Sequence, residues 1–189
     1  MKRSLGLILA IILLILSGCG GSSEKVTKNE TVKNGSAKKE TAQNLDIGLT
    51  VEEYVEEFNN VSASRHSILK LGTVIKETEK DGKGEVYHYL GDSIGLLIEA
   101  DTATNYISKI IVGCEPKGRN EKRIIERAGV AYIFAIQAAS AEITEQKAMT
   151  IISRLSTDLK HNKVLEECLE FSSIVYDGVM ILRIKAAES

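Results

Sequence analysis

The feature that most constrains how this chain can fold is a change of period part-way along it. From residue 68 to residue 114 the apolar residues alternate or run in short β-branched blocks, with turn residues breaking them about every 8 to 12 positions. "ILKLGTVIKETE" (68–79), "EVYHYL" (85–90), "IGLLIEA" (94–100) and "YISKIIVGC" (106–114) read as successive strands, separated by "KDGKG", "GDS" and "DTATN". From Asn120 to Ala141 the spacing becomes helical, and from Ala128 onward it is apolar almost all round. A helix of that kind is buried on more than one face or lies in a subunit interface. Its alanines and Gly129 allow close approach, so residues 128–141 are a candidate surface for self-association.

Two further helices flank this pattern. Thr50-Val51-Glu52-Glu53 has the spacing of a capping box, with Thr50 at the N-cap and Glu53 three residues on. Leu49 and Tyr54 stand where a hydrophobic staple forms, and Val51, Tyr54, Val55 and Phe58 mark one apolar face. Glu52, Glu53, Glu56 and Glu57 then face water; acids are favoured near a helix N-terminus, so they call for no metal. Thr144 reads as the N-cap of a third helix, with Ala148, Ile151, Ile152, Leu155 and Leu159 at helical spacing. The final run "FSSIVYDGVMILRIKA" (171–186) places Asp177-Gly178 between two β-rich stretches, the mark of a hairpin with a type I′ turn.

The order is α, three or four β, α, α, then a β-hairpin. It implies an α+β domain over 46–189, with a mostly antiparallel sheet of about five or six strands covered on one face by helices. The recurrence of helix followed by strands hints at a duplicated unit.

The chain ahead of the domain is of another kind. Residues 20–44 hold five lysines and three glutamates, no aromatic residue and two isolated valines. Such a segment buries too little apolar surface to offset its ordering entropy, so residues 19–45 are expected to act as a flexible tether. Before it, Lys2 and Arg3 precede the 12-residue apolar run "LGLILAIILLIL" (5–16). That run is shorter than the roughly 20 residues that span a bilayer and matches the apolar region of an export signal, residues 1–18. It ends in Leu16-Ser17-Gly18-Cys19. This segment resembles the lipobox of bacterial lipoproteins. The resemblance implies recognition of Leu16, Ser17 and Gly18 by the lipoprotein signal peptidase and cleavage before Cys19. It also implies a lipid on the Cys19 sulfur, palmitate among its acyl chains, that holds the protein on the extracytoplasmic side of the cell membrane.

Charge and motif narrow the function further. Residues 45–189 carry 17 basic and 23 acidic residues, a net of −6. An acidic domain repels phosphate backbones, which argues against nucleic acid as a partner. His66, His88 and His161 sit in separate segments without metal-ligand spacing, and the chain has no P-loop, G-x-S-x-G, H-E-x-x-H or G-x-G-x-x-G motif. No catalytic, cofactor-binding or metal-ligating residue stands out in the sequence. Export would make a disulfide chemically accessible to Cys114 and Cys168, the pair left once Cys19 is lipidated. Lys117, Arg119, Lys122, Arg123 and Arg127 form the one dense basic run of the domain, a candidate patch for lipid head groups or an acidic partner. The expectation is a membrane-anchored lipoprotein with a non-catalytic binding domain and a protein partner in the envelope. The alternatives are an envelope-acting hydrolase and a self-associating structural lipoprotein.

Overall fold

A computed structural model describes residues 45–188, apart from 73, 81, 92, 117–120, 158–162 and 177–178. Its elements are α1 (Val51–Ser64), β1 (Val74–Lys80), β2 (Lys83–Gly91), β3 (Ile94–Asp101), β4 (Ile107–Cys114), α2 (Glu121–Ala139), α3 (Glu145–Thr157), β5 (Lys163–Glu166), β6 (Leu169–Tyr176) and β7 (Val179–Ala186). The strands form a seven-stranded sheet in the order β1-β2-β3-β4-β7-β6-β5, antiparallel throughout. The α+β class, with helices on one face, is as the sequence implies.

With β1 left aside, that order is palindromic. β2-β3-β4 after α1 and β5-β6-β7 after α3 follow the same course, and the last strand of each half meets the other at the centre. The halves therefore share a connectivity, as the recurrence of helix and strands suggested.

The core lies between the helices and one face of the sheet. Tyr54 and Phe58 of α1, and Ala131, Phe134, Ala135 and Ala138 of α2, pack with Leu96, Ile98, Ile110, Val112, Phe171, Leu182 and Ile184. Phe58 meets Phe134 edge-on, their ring centroids 6.0 Å apart. The phenol of Tyr54 donates to the Ala135 carbonyl at 3.3 Å, so its one polar atom is satisfied inside. α2 is apolar nearly all round because it packs against α1, α3 and the sheet of its own chain. Its small residues let those neighbours come close, and Val130 and Ile125 are its apolar residues left exposed.

The caps are where the sequence puts them. Glu53 N–H donates to the Thr50 hydroxyl and Thr50 N–H donates to the Glu53 carboxylate, which completes the capping box. Thr144 caps α3 by accepting from Lys147 N–H at 3.3 Å.

Three differences have physical reasons. The first strand starts at Val74, not at Ile68, because the Asn59 side chain binds both polar groups of the Leu71 backbone at 2.8 Å. Ser62 also donates to the Leu69 carbonyl, so this stretch is fastened to α1 and its edge groups are spent. The sheet has seven strands, not five or six, because β5 is only four residues long and follows directly on a helical pattern. A further two-residue hairpin joins β5 to β6 through Glu167 and Cys168, both at positive φ (50° and 62°), the backbone of a type I′ turn. The expected β6–β7 hairpin is present, with Tyr176 opposite Val179; its turn, Asp177-Gly178, lies outside the described residues.

Candidate functional site

Every described helix covers the same face of the sheet, and the chemistry gathers on the other. One line of directly opposed residues crosses that helix-free face: Glu85, Glu99, Lys109, Lys185, Glu170 and Leu165. A bulge sharpens the line. Ala100 is opposite Ile107 and Glu99 is opposite Lys109, so Ser108 is an extra residue in β4. A bulge of this kind turns two successive side chains toward one side, and both Ser108 and Lys109 reach Glu99.

Each glutamate of the line is clamped by two lysines. Glu99 takes Lys83 Nζ on one oxygen at 2.9 Å and Lys109 Nζ on the other at 2.8 Å, with the Ser108 hydroxyl donating at 3.0 Å. Glu170 takes Lys163 Nζ at 3.1 Å and Lys185 Nζ at 3.7 Å on a single oxygen. The register makes the two clamps equivalent. Lys109 and Lys185 lie directly opposite their glutamates, while Lys83 and Lys163 lie opposite the residue two places further on, Asp101 and Ser172. A local twofold through the Lys109–Lys185 pair relates them.

A cavity of about 280 Å³ opens over the first clamp, lined by Lys83, Lys109, Lys185, Glu99, Asp101 and Glu188 among others. Its charges hold one another. Burial pulls the Glu99 carboxyl up, but hydrogen bonds from Lys109 and Lys83 outweigh it and keep the group below the ordinary carboxylate range. Hydrogen bonds from Thr104 and Ala103 within its own turn lower Asp101 likewise. A hydrogen bond to Glu188 raises Lys185 above the usual lysine value. None of these groups is poised near neutral pH to give or take a proton. The arrangement suits holding charged groups of a ligand better than transforming one.

One step along the strands the same face turns apolar. Tyr87, Leu97 and Ile111 follow one another across β2, β3 and β4, then Arg183 on β7; the next line holds Gly95, Gly113, Ile181 and Ile174. Tyr87, Leu97, Ile111 and Ile181 are buried yet lie outside the main core. The Tyr87 ring lies over Gly95, where a Cβ would meet its Cζ at 2.8 Å, so only glycine fits beneath it. Burial, with Tyr89 adding to it, pushes the Tyr87 phenol up to about 12. Among the described residues, the buried Tyr87 hydroxyl and Arg183 Nε have no hydrogen-bond partner.

A second cavity, about 670 Å³, lies between α1, the end of α2 and the β5–β6 turn. Asp46, Glu53, Glu56, Glu57 and Glu167 give it an acidic lining, and Cys168 borders it. Among the described residues no group of three or more His, Cys, Asp or Glu side chains could hold a metal ion.

The structure scatters the residues that the sequence singled out. Leu16, Ser17, Gly18 and Cys19, and Lys117 and Arg119 of the basic run, lie outside the described residues. Lys122 pairs loosely with Glu126 at 3.9 Å, Arg123 is exposed, and Arg127 is half-buried with interactions of its own. Cys114 and Cys168 are free thiols, the first buried and the second exposed, so the disulfide that export would make accessible is not formed. The register explains why. Cys114 stands five residues beyond Lys109 in one direction and Cys168 two residues from Glu170 in the other, roughly 24 Å apart along the strands. A bridge needs Cα atoms within about 7 Å. Cys114 instead accepts from the Tyr132 hydroxyl at 3.7 Å. The clamps went unnoticed in the sequence because each draws its three residues from three strands, which only pairing brings together.

No helix among the described residues is long and apolar enough to cross a membrane. Comparison with protein-family models, with curated proteins and with solved structures finds no match to this chain.

Proposed function

We propose that this chain is an extracytoplasmic lipoprotein, tethered to the cell membrane through lipid on Cys19, whose α+β domain binds a protein partner on the helix-free face of its sheet without catalysis. The anchor is supported by the run 5–16 and the Leu16-Ser17-Gly18-Cys19 sequence that ends it. The observation that carries the binding half is a set of exposed apolar side chains, Tyr89, Leu165 and Ile174. They lie on the opposite side of the sheet from the core, on the face that carries the two charge clamps. Apolar side chains with a charged surround are the anatomy of a protein interface. Self-association through 128–141 has less to recommend it, since most apolar residues of that helix are already buried within the chain. A hydrolase draws no support from the locked charges of the first clamp.

The test is a photo-crosslinking residue placed in turn at Tyr89 and Ile174 on the helix-free face, and at Val130 on α2, in cells making the full chain. Adducts to another protein are expected from the first two positions and not from Val130. Adducts from Val130 alone, or from none of the three, would sink the proposal. Mass analysis of the mature N-terminus tests the anchor separately: an acyl mass on Cys19 and loss of residues 1–18 are expected.

A further inference from the structure

Four lysines of the helix-free face are matched by acids. Lys83 and Lys109 share Glu99, Lys163 and Lys185 share Glu170, and Lys185 also holds Glu188. Arg183 stands on the same face, two residues before Lys185 on β7, and is not matched. Its directly opposed neighbours are Ile111 on β4 and Ser172 on β6, and neither carries a charge. The register that sets Lys109 and Lys185 opposite glutamates thus leaves Arg183 opposite none. Among the described residues its guanidinium pairs with no acid, and its Nε is buried without a hydrogen-bond partner.

A guanidinium keeps its proton at any ordinary pH, so Arg183 stays charged whether or not an acid meets it. Left partly buried and unpaired, it works against the stability of the fold. The surface beside it is apolar and open. Ile174 lies diagonally across on β6 and is 38% exposed, and Leu165, one strand further out, is 64% exposed. Charge points the same way. Lys163, Arg183 and Lys185 outnumber Glu170 and Glu188 here, in a domain that is acidic as a whole. Arginine is among the residues that carry most of the energy in protein interfaces.

We infer that the partner protein sets the carboxylate of an aspartate or glutamate on the Arg183 guanidinium, with an apolar side chain of the same segment against Ile174. The planar fork of a guanidinium takes the two oxygens of a carboxylate side by side. One carboxylate also matches the one unmatched charge. The acidic domain as a whole repels a surface dense in phosphate, so the occupant is an acidic segment of a protein and not a lipid head group. This inference rests on the partner-binding reading above and names the chemistry by which the partner is recognised.

The test uses the full chain in cells, with the crosslinking residue at Ile174. Arg183→Met, which keeps an unbranched chain but removes the charge, should lower the yield of protein adduct at least about tenfold. Arg183→Glu should abolish it. Arg183→Lys, which keeps the charge without the fork, should fall between Arg183→Met and the wild type. Sequencing the wild-type adduct should find an Asp or Glu beside the captured residue. The melting temperature of Arg183→Met should equal or exceed that of the wild type, because an unpaired guanidinium gives way to an apolar chain. A melting temperature that fell along with the adduct would make Arg183 a structural residue and overturn the inference. An undiminished adduct in both Arg183→Met and Arg183→Glu would overturn the carboxylate contact and leave partner binding standing, as would a captured segment without an acid. An adduct to lipid, or to a second copy of this chain, would overturn the assignment of the occupant. No adduct in the wild type from either Ile174 or Tyr89 would remove the inference and the partner-binding reading together.

Discussion

The first half of the domain, α1 through β4, and the second, α2 through β7, each bring a glutamate to the helix-free face between two lysines of neighbouring strands, and they hold it differently. Glu99 spends one oxygen on each lysine, at 2.9 and 2.8 Å, and receives a hydroxyl from the bulged Ser108. Glu170 offers a single oxygen to both, one of them 3.7 Å away, and its Lys185 is shared with Glu188 on the C-terminal tail. The halves also differ at their outer margins, where a seven-residue, irregularly paired β1 closes one side and a four-residue β5 the other. One pattern therefore yields a taut half and a slack half. Binding surfaces that must adapt are drawn from the less constrained parts of a fold, and the slack half fits that description.

The largest test of this contrast neutralises each glutamate. Glu99→Gln leaves two lysines facing a near-neutral acceptor in a buried setting, and should cost about 2–3 kcal/mol in urea unfolding. That is less than for a fully enclosed pair, because Lys83 is half exposed. Glu170→Gln should cost less, about 1 kcal/mol, because its carboxylate, though about as buried as that of Glu99, is loosely held by both lysines on one oxygen, one of them at 3.7 Å. Equal losses would erase the distinction between the halves.

Glycines give the next largest effect. Alanine at Gly95 would meet the Tyr87 ring at 2.8 Å and 3.0 Å, and the overpacking should cost about 1–3 kcal/mol. Gly113, its cross-strand neighbour on the boundary with the second half, has Ile181 Cγ1 at 3.8 Å as the nearest obstacle. Gly113→Ala should change stability by no more than about 0.5 kcal/mol. A Gly113 variant as damaged as the Gly95 one would mean that the boundary is as tightly packed as the first half.

Helix caps separate the halves by a smaller margin. Removing Thr50 breaks a reciprocal pair and should cost about 1 kcal/mol. Thr144 accepts from Lys147 N–H, but the residue three places on is a lysine and cannot return the bond. Thr144→Ala should lose about half as much. Thermal melts of the two single variants would settle the order, and a larger loss at Thr144 would reverse it.

Those caps were legible in the sequence, because an N-cap and its N3 partner are three residues apart and need no tertiary knowledge. β2, β3, β4 and the β6–β7 hairpin were legible for the same reason, as local alternation with turn chemistry between. β5 was hidden by competition: four residues, Lys163–Glu166, cannot set up a period against the helical spacing that precedes them. Its turn uses Glu167 and Cys168 at positive φ, where the residues that normally signal such a turn are Asn and Gly. The Ser108 bulge was equally invisible. It reverses the facing of one residue, and only pairing with Glu99 reveals it. Glu99 itself looked like a lone charge in the run "IGLLIEA", and its two lysines lie 16 positions before and 10 after it.

The smallest signal is a dependence on pH. Burial raises the Glu99 carboxyl and the lysine hydrogen bonds lower it further, so its folded value lies below that of the unfolded chain, near 4.3 for glutamate. A group lowered on folding contributes stability that is complete above its unfolded value and is lost as pH falls through its folded value. The stability gap between wild type and Glu99→Gln should therefore hold steady from pH 7 to about 5 and narrow below it. Urea midpoints collected across that range test the point directly. A gap that stayed constant into strong acid would mean that the first clamp does not depend on an ionised Glu99, and the taut half would have to owe its stability to the Tyr87–Gly95 packing instead.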